Sequence, residues 1–216
     1  YGGDAFRHQE VVKFEFEGKE LCSAITKAGE EIKGKLFISN IEPKRTIEML
    51  GENKVKKSYV KRINNIENIV SCFSIHIVFK PESFPYFNYN YYHFKDETKV
   101  WDALHYTPET WPEGYMISMS YKKGMTKWAD NMTVMTYMNF EEVEEWKDTF
   151  NTVAEKSERG QSYEDFKTYK TEVLLKEIEK KFPKIRESIL SIHTSTPLSY
   201  RDYIGANKGS MYGSIK

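Results

Sequence analysis

Among the side chains that titrate near neutral pH, histidine comes first, and this chain has five, at positions 8, 76, 93, 105 and 193. No two of them stand at metal-ligand spacing on one expected element, so no metal centre is predicted. His76 falls inside the apolar run Ile69 to Phe79 (IVSCFSIHIVF), where a hydrogen-bonded core histidine is the simplest reading. Glu141, Glu142, Glu144 and Glu145 surround Val143 and read as a solvated face, acid near a helix N-terminus being favoured by the dipole. There is no Gly-x-Ser-x-Gly elbow, no glycine-rich phosphate loop and no Gly-x-Gly-x-x-Gly. What remains is apolar chemistry. Six of the eight methionines lie between Met116 and Met138, and Tyr86 to Phe94 reads YFNYNYYHF. Methionines and aromatics can line an adaptable pocket. The plainer alternative is that Met116, Met119, Met132, Met135 and Met138 fill a core. The aromatic stretch is hard to bury whole, which suggests a ligand, a partner or a lid.

The elements that must position these residues follow from periodicity. Val12, Phe14 and Phe16 alternate with charge, which predicts a strand with one buried face. Gly18-Lys19 turns it into a partner strand over Leu21 to Thr26, and Lys35 to Ser39 is predicted as a third. Pro43 sits where the first turn of a helix through Leu50 tolerates it. Ile69 to Phe79, apolar on both faces, predicts a central strand. Residues 81–112 read as aromatic and rich in loops. Tyr115 to Tyr121 and Met132 to Met138 predict two neighbouring strands around a loop with Gly124. In the last third the period changes. Ser162 to Asp165 fits a capping box, with Phe166, Tyr169, Val173, Leu174, Ile178 and Phe182 at helical spacing, up to Pro183. Ile189 to Ile192 predicts the last core strand. The fold class is therefore α+β: a largely antiparallel (mixed) sheet with helices packed on one side.

Composition narrows the partners. Lys plus Arg equals Asp plus Glu at 32 each, which argues against a nucleic-acid footprint. Cys22 and Cys72 make no disulfide framework, and a reducing, cytoplasmic setting is expected. No apolar run reaches the roughly 20 residues that span a bilayer, and no signal peptide opens the chain. Peripheral membrane contact remains open. The start on Tyr1-Gly2-Gly3 reads as the middle of a protein.

Two segments carry more than composition. Residues 10–45, EVVKFEFEGKELCSAITKAGEEIKGKLFISNIEPKR, resemble a segment of the flavin-dependent oxidoreductases related to phytoene desaturase, carotenoid isomerase and retinol saturase. Gly29 to Pro43 resembles that family's G-x-x-I/V-x-A-D-x-V-I-S-N-x-x-P pattern, with Gly34 and Lys35 departing from it. The closing STPLSYRDYIGANKGSMYG resembles the stretch where such a chain returns to the flavin, the match being carried by Thr196, Pro197, Leu198, Tyr200, Gly205, Gly209, Tyr212 and Gly213.

The resemblance implies a substrate domain of the amine oxidase and phytoene desaturase type. Residues 1–45 would be a stub of the flavin domain, 46–190 the substrate domain and 191–216 the return segment. It implies an FAD-dependent desaturase, saturase or isomerase acting on an apolar polyene such as a carotenoid or retinoid. FAD would belong to the parent protein, with none bound to this fragment, which alone would be inactive. Val11, Val12, Ser39, Asn40, Gly209 and Gly213 would lie near the cofactor, and Met119, Met135 and Tyr200 near the substrate. Tyr212 is the candidate catalytic residue, and no acid or base can be named. The alternative is a non-catalytic α+β module that binds an apolar ligand or a protein partner. On the first view Thr196 to Lys216 should be less firmly anchored than the core.

Overall fold

The computed structural model describes residues 2–67, 70–124, 126–153 and 156–213. Ile69, which opens the long apolar run, Met125 of the methionine cluster and the final residues 214–216 lie outside them. The chain divides into an N-terminal unit up to Glu67 and a C-terminal unit that follows it.

In the N-terminal unit, β1 (Val11–Glu17), β2 (Glu20–Thr26) and β3 (Glu31–Lys33) form an antiparallel meander. Gly18 closes the first hairpin at φ +63°, a conformation few other residues adopt cheaply. The register slips between Val11 and Lys13. This bulge exposes Val12, while Phe14 and Phe16 stay half-buried. The third strand is not Lys35 to Ser39 as predicted. It forms earlier, at Glu31–Lys33, because the turn at Gly29 leaves only these residues opposite Ser23 to Ile25. Residues 35–39 are irregular, with Leu36 81% and Ile38 88% exposed. Helix α1 (Pro43–Leu50) begins at the expected proline. Helix α2 (Lys57–Asn64) has no counterpart in the sequence reading, having two basic residues in its last turn and no side-chain cap. Its Val60 and Ile63 bury against Ile47 of α1 as a small core.

The C-terminal unit is built on β4 (Ser71–Phe79), β5 (Tyr91–Phe94), β6 (Gly114–Ser120), β7 (Asn131–Met138) and β8 (Ile189–Ser195). They lie in the order β5-β6-β7-β4-β8, every neighbour antiparallel. Helix α3 (Gly160–Glu179) covers one face. Short helices α4 (Ile185–Ser188) and α5 (Pro197–Ile204) flank β8 in sequence. The protein is thus α+β. β4 lies between β7 and β8 and is buried on both faces for most of its length, which is why its sequence shows no alternation.

Alternation along the strands gives the sheet a core face. There Phe73, Ile75, Ile77, Ile117, Met132 and Val134 meet Leu174, Leu175 and Ile178 of α3. Each such side chain removed from water contributes about 1.5–3 kcal/mol. Helix α3 starts at Gly160, two residues before the predicted cap, and Arg159 makes no side-chain cap. Ser162 is inside the helix and accepts from Trp146 Nε1 at 3.2 Å. Tyr169, placed on the apolar stripe by its spacing, is exposed, and Lys170 is buried in its stead. The reason is an ion pair of Lys170 with Glu142, with the ammonium also 4.3 Å from the Trp111 ring centroid. Glu142 in turn accepts from Tyr106 Oη at 2.5 Å. The acidic cluster, a 3₁₀ segment over Phe140–Trp146, is therefore not wholly solvated.

Candidate functional site

The second face of the sheet carries different chemistry. Pairing places Ser195, Ser74, Met135 and Met116 in one row across β8, β4, β7 and β6, with Tyr92 of β5 at its end. The next row is His193, His76, Thr133 and Ser118. Cys72 and Tyr137 lie opposite each other on the other side of the first row. One end of this face is apolar, the other a field of hydroxyls and imidazoles.

The closing stretch lies on the apolar end. Thr196 caps α5 in a capping box, and Thr196 and Leu198 are fully buried. Asp202 accepts from Arg159, from Arg201 Nε at 2.8 Å and from the Asn151 amide at 2.9 Å. After Gly205 the chain runs as a strap. Ser71 Oγ donates to the Gly209 carbonyl at 2.6 Å, and the Met211 amide donates to the Val70 carbonyl at 3.3 Å. Up to Gly213 this stretch is anchored in the C-terminal unit, against the expectation of loose attachment, because its buried partners lie in the same unit. Pro197 and the Thr196 cap start helix α5 there.

Strap and sheet enclose a cavity of about 130 Å³, lined by Tyr92, Phe94, Met116, Met135, Tyr137, Met211 and Tyr212 among others. Burial, and next the Tyr212 phenol, push the Tyr137 phenol above its usual range. Two larger hollows occur, about 870 Å³ beside Glu20, Cys22, Lys35 and Phe37, and about 400 Å³ between α3 and β8. Both are broad grooves edged by charged side chains, and neither gathers buried functional groups.

Beside the cavity the polar groups are satisfied by one another. Ser74 Oγ and Tyr200 Oη are 3.0 Å apart, and Cys72 Sγ is 3.7 Å from Ser74 Oγ. Burial raises both the Cys72 thiol and the Tyr200 phenol above their ordinary values. His76 Nδ1 lies 3.2 Å from Thr133 Oγ1 and its Nε2 3.3 Å from Ser195 Oγ. Burial lowers the His76 pKa, with His193 across the strand pair adding to the effect. His76 is half-buried and hydrogen-bonded, close to the expected core histidine, but it faces away from the helix-covered core.

Of the residues named from sequence, Met135, Tyr200 and Tyr212 come together on this face. Met119 does not. It pairs with Met132 on the core face and packs into the main core, because it lies an odd number of residues from Met116. Val11, Val12, Ser39 and Asn40 belong to the N-terminal unit. There the Ser39 hydroxyl lies 2.7 Å from Thr46 Oγ1, and Asn40 is exposed. Gly209 and Gly213 lie in the strap. The sequence reading did not single out Tyr137, Thr133 or Ser195 for the site. Thr133 and Tyr137 flank Met135 at two-residue spacing, and that parity was the available signal.

The strap and its cavity do not fit a flavin. A Cβ on Gly209 would stand 2.0 Å from the Pro197 carbonyl oxygen, so the glycine accommodates the chain's own backbone and leaves no cradle for a ring. The cavity is about the size that holds one benzene-sized ring, far short of an isoalloxazine. Among the described residues no three His, Cys, Asp or Glu side chains gather as a metal site, and no helix is long and apolar enough to cross a membrane. No protein-family model matches this chain, and a search of curated proteins finds no match either.

Proposed function

We propose that the C-terminal unit is the substrate-holding part of a flavin-dependent oxidoreductase acting on an apolar polyene, the flavin domain belonging to a longer parent polypeptide. The observation that carries this reading is the meeting of two features at one cavity. The segment that resembles the flavin-return stretch supplies Met211 and Tyr212, and the methionine-rich strands supply Met116 and Met135. A second feature agrees with it. Residues 35–39 have the pattern of a strand yet pair with none among the described residues, and Leu36 and Ile38 stand exposed. Such a stretch suits a sheet supplied from elsewhere. The work of this chain is then to bury one end of the substrate and to keep water from it, at about 25 cal/mol per Å² of apolar surface. No redox step is assigned to its residues.

One observation favours the alternative, a ligand-binding module without redox chemistry: Gly209 is explained by Pro197 alone. Two measurements separate the readings. The chain should bind the isoprenoid hydrocarbon 2,6-dimethyl-2,6-octadiene, and Met135→Trp, which fills the cavity, should abolish binding. Absence of binding sinks both readings. The parent polypeptide should show the blue absorption band of oxidised flavin as purified, and a colourless parent that still binds the hydrocarbon leaves only the module.

A further inference from the structure

The cavity is apolar, but Met135, which lines it, stands two residues from Thr133 on the same face of β7. Thr133 belongs to a polar cluster in which His76 bridges two hydroxyls, Thr133 beside it on one neighbouring strand and Ser195, from the row of Met135, on the other. Two residues of strand span about 7 Å, so an extended ten-carbon molecule with one end in the cavity has the length to place its other end at this cluster. A neutral imidazole has one N–H and one acceptor nitrogen. It therefore donates to one hydroxyl and accepts from the other. The hydroxyl that receives keeps its own O–H free to point outward, and the hydroxyl that gives keeps its lone pairs free. Whichever tautomer is present, the cluster keeps one donor and open acceptors for a ligand, with no net charge. That is the complement of a single uncharged oxygen.

We propose that the cluster of His76, Thr133 and Ser195 is a binding site for an alcohol or carbonyl oxygen at the end of an otherwise apolar ligand. This rests on the reading of the neighbouring cavity as the apolar seat. The imidazole fixes which hydroxyl donates, and half-burial of His76 strengthens a hydrogen bond made there relative to one in bulk water. Burial keeps the ring neutral at neutral pH, in the state the site requires.

The test compares geraniol with the matching hydrocarbon, 2,6-dimethyl-2,6-octadiene, by calorimetric titration of the full 216-residue chain. One added hydrogen bond predicts about tenfold tighter binding of the alcohol. In His76→Phe that preference should vanish while hydrocarbon affinity stays unchanged. Should the phenylalanine variant not fold, Ser195→Ala combined with Thr133→Val carries the same expectation. Equal binding of alcohol and hydrocarbon by the wild type overturns the oxygen site and leaves the apolar cavity standing. A preference that survives in the variants overturns the assignment to this cluster. Failure of both probes to bind overturns the cavity reading itself.

Discussion

Gly209→Ala isolates what the strap glycine does. A cofactor role predicts a stable protein with weakened ligand binding; the structure predicts the reverse. Gly209 has φ +61°, and an added Cβ would lie 2.0 Å from the Pro197 oxygen, 2.9 Å from its carbonyl carbon and 3.1 Å from its Cα. All three are backbone atoms at the start of α5, held by a fully buried Thr196 cap and Leu198, so they cannot swing aside like a flexible side chain. A left-handed backbone costs a non-glycine residue roughly 1–2 kcal/mol. Forcing packed backbone apart adds roughly 1–3 kcal/mol. The sum expected is about 2–5 kcal/mol, which at an m-value of about 2 kcal/mol per molar urea lowers the midpoint by about 1–2.5 M. Tryptophan fluorescence is the right probe, because Trp101, Trp111, Trp128 and Trp146 all lie in the C-terminal unit. Gly213→Ala is the control. Its φ is +73°, but nothing lies within 4 Å of an added Cβ, so only the backbone cost of about 1 kcal/mol remains. A Gly209→Ala midpoint no lower than that of Gly213→Ala would refute the packing argument.

Three further outcomes follow from buried charge. Asp202→Ala leaves the Arg159 and Arg201 guanidinium groups without their shared carboxylate and should destabilise the C-terminal unit by about 3–5 kcal/mol, read as a fall in melting temperature. Lys170→Met should cost about 2–4 kcal/mol by stranding Glu142, while the double variant with Glu142→Gln recovers much of the loss; additive losses in the double-mutant cycle would contradict the coupling. Because the folded pKa of His76 lies below its unfolded value, the unfolded chain binds more protons as pH falls below about 6.5. Stability should therefore decline from there down through the folded pKa, and His76→Phe should flatten that part of the stability profile measured by urea titration.

Local pattern was enough to place β1, β2, β4, β6, β7, β8 and α1: alternation marks β1, the Gly18-Lys19 turn opens β2, apolar or methionine-rich runs mark β4, β6, β7 and the start of β8, and proline opens α1. Where the pattern misled, a non-local partner was responsible. Tyr169 has the spacing of a buried residue, but Lys170 is buried because Glu142 and Trp111 are there to receive it. Residues 35–39 hold a short apolar run like a strand's, yet a strand exists only where a neighbour completes its ladder.

For the site, the sequence by itself determined which residues could make an apolar pocket, the methionines of β6 and β7 and the aromatics around them. It also determined, through strand parity, that Met116 and Met119 point to opposite faces of one strand and Met132 and Met135 to opposite faces of the other. Only the tertiary structure decided that α3 covers the face of Met119 and the strap covers the face of Met135. It alone brought Ser195, 119 residues away in the chain, to the imidazole of His76. The physical reason is that side-chain alternation is a property of one strand. Which face becomes core, and which is left for a ligand, depends on what packs against the finished sheet.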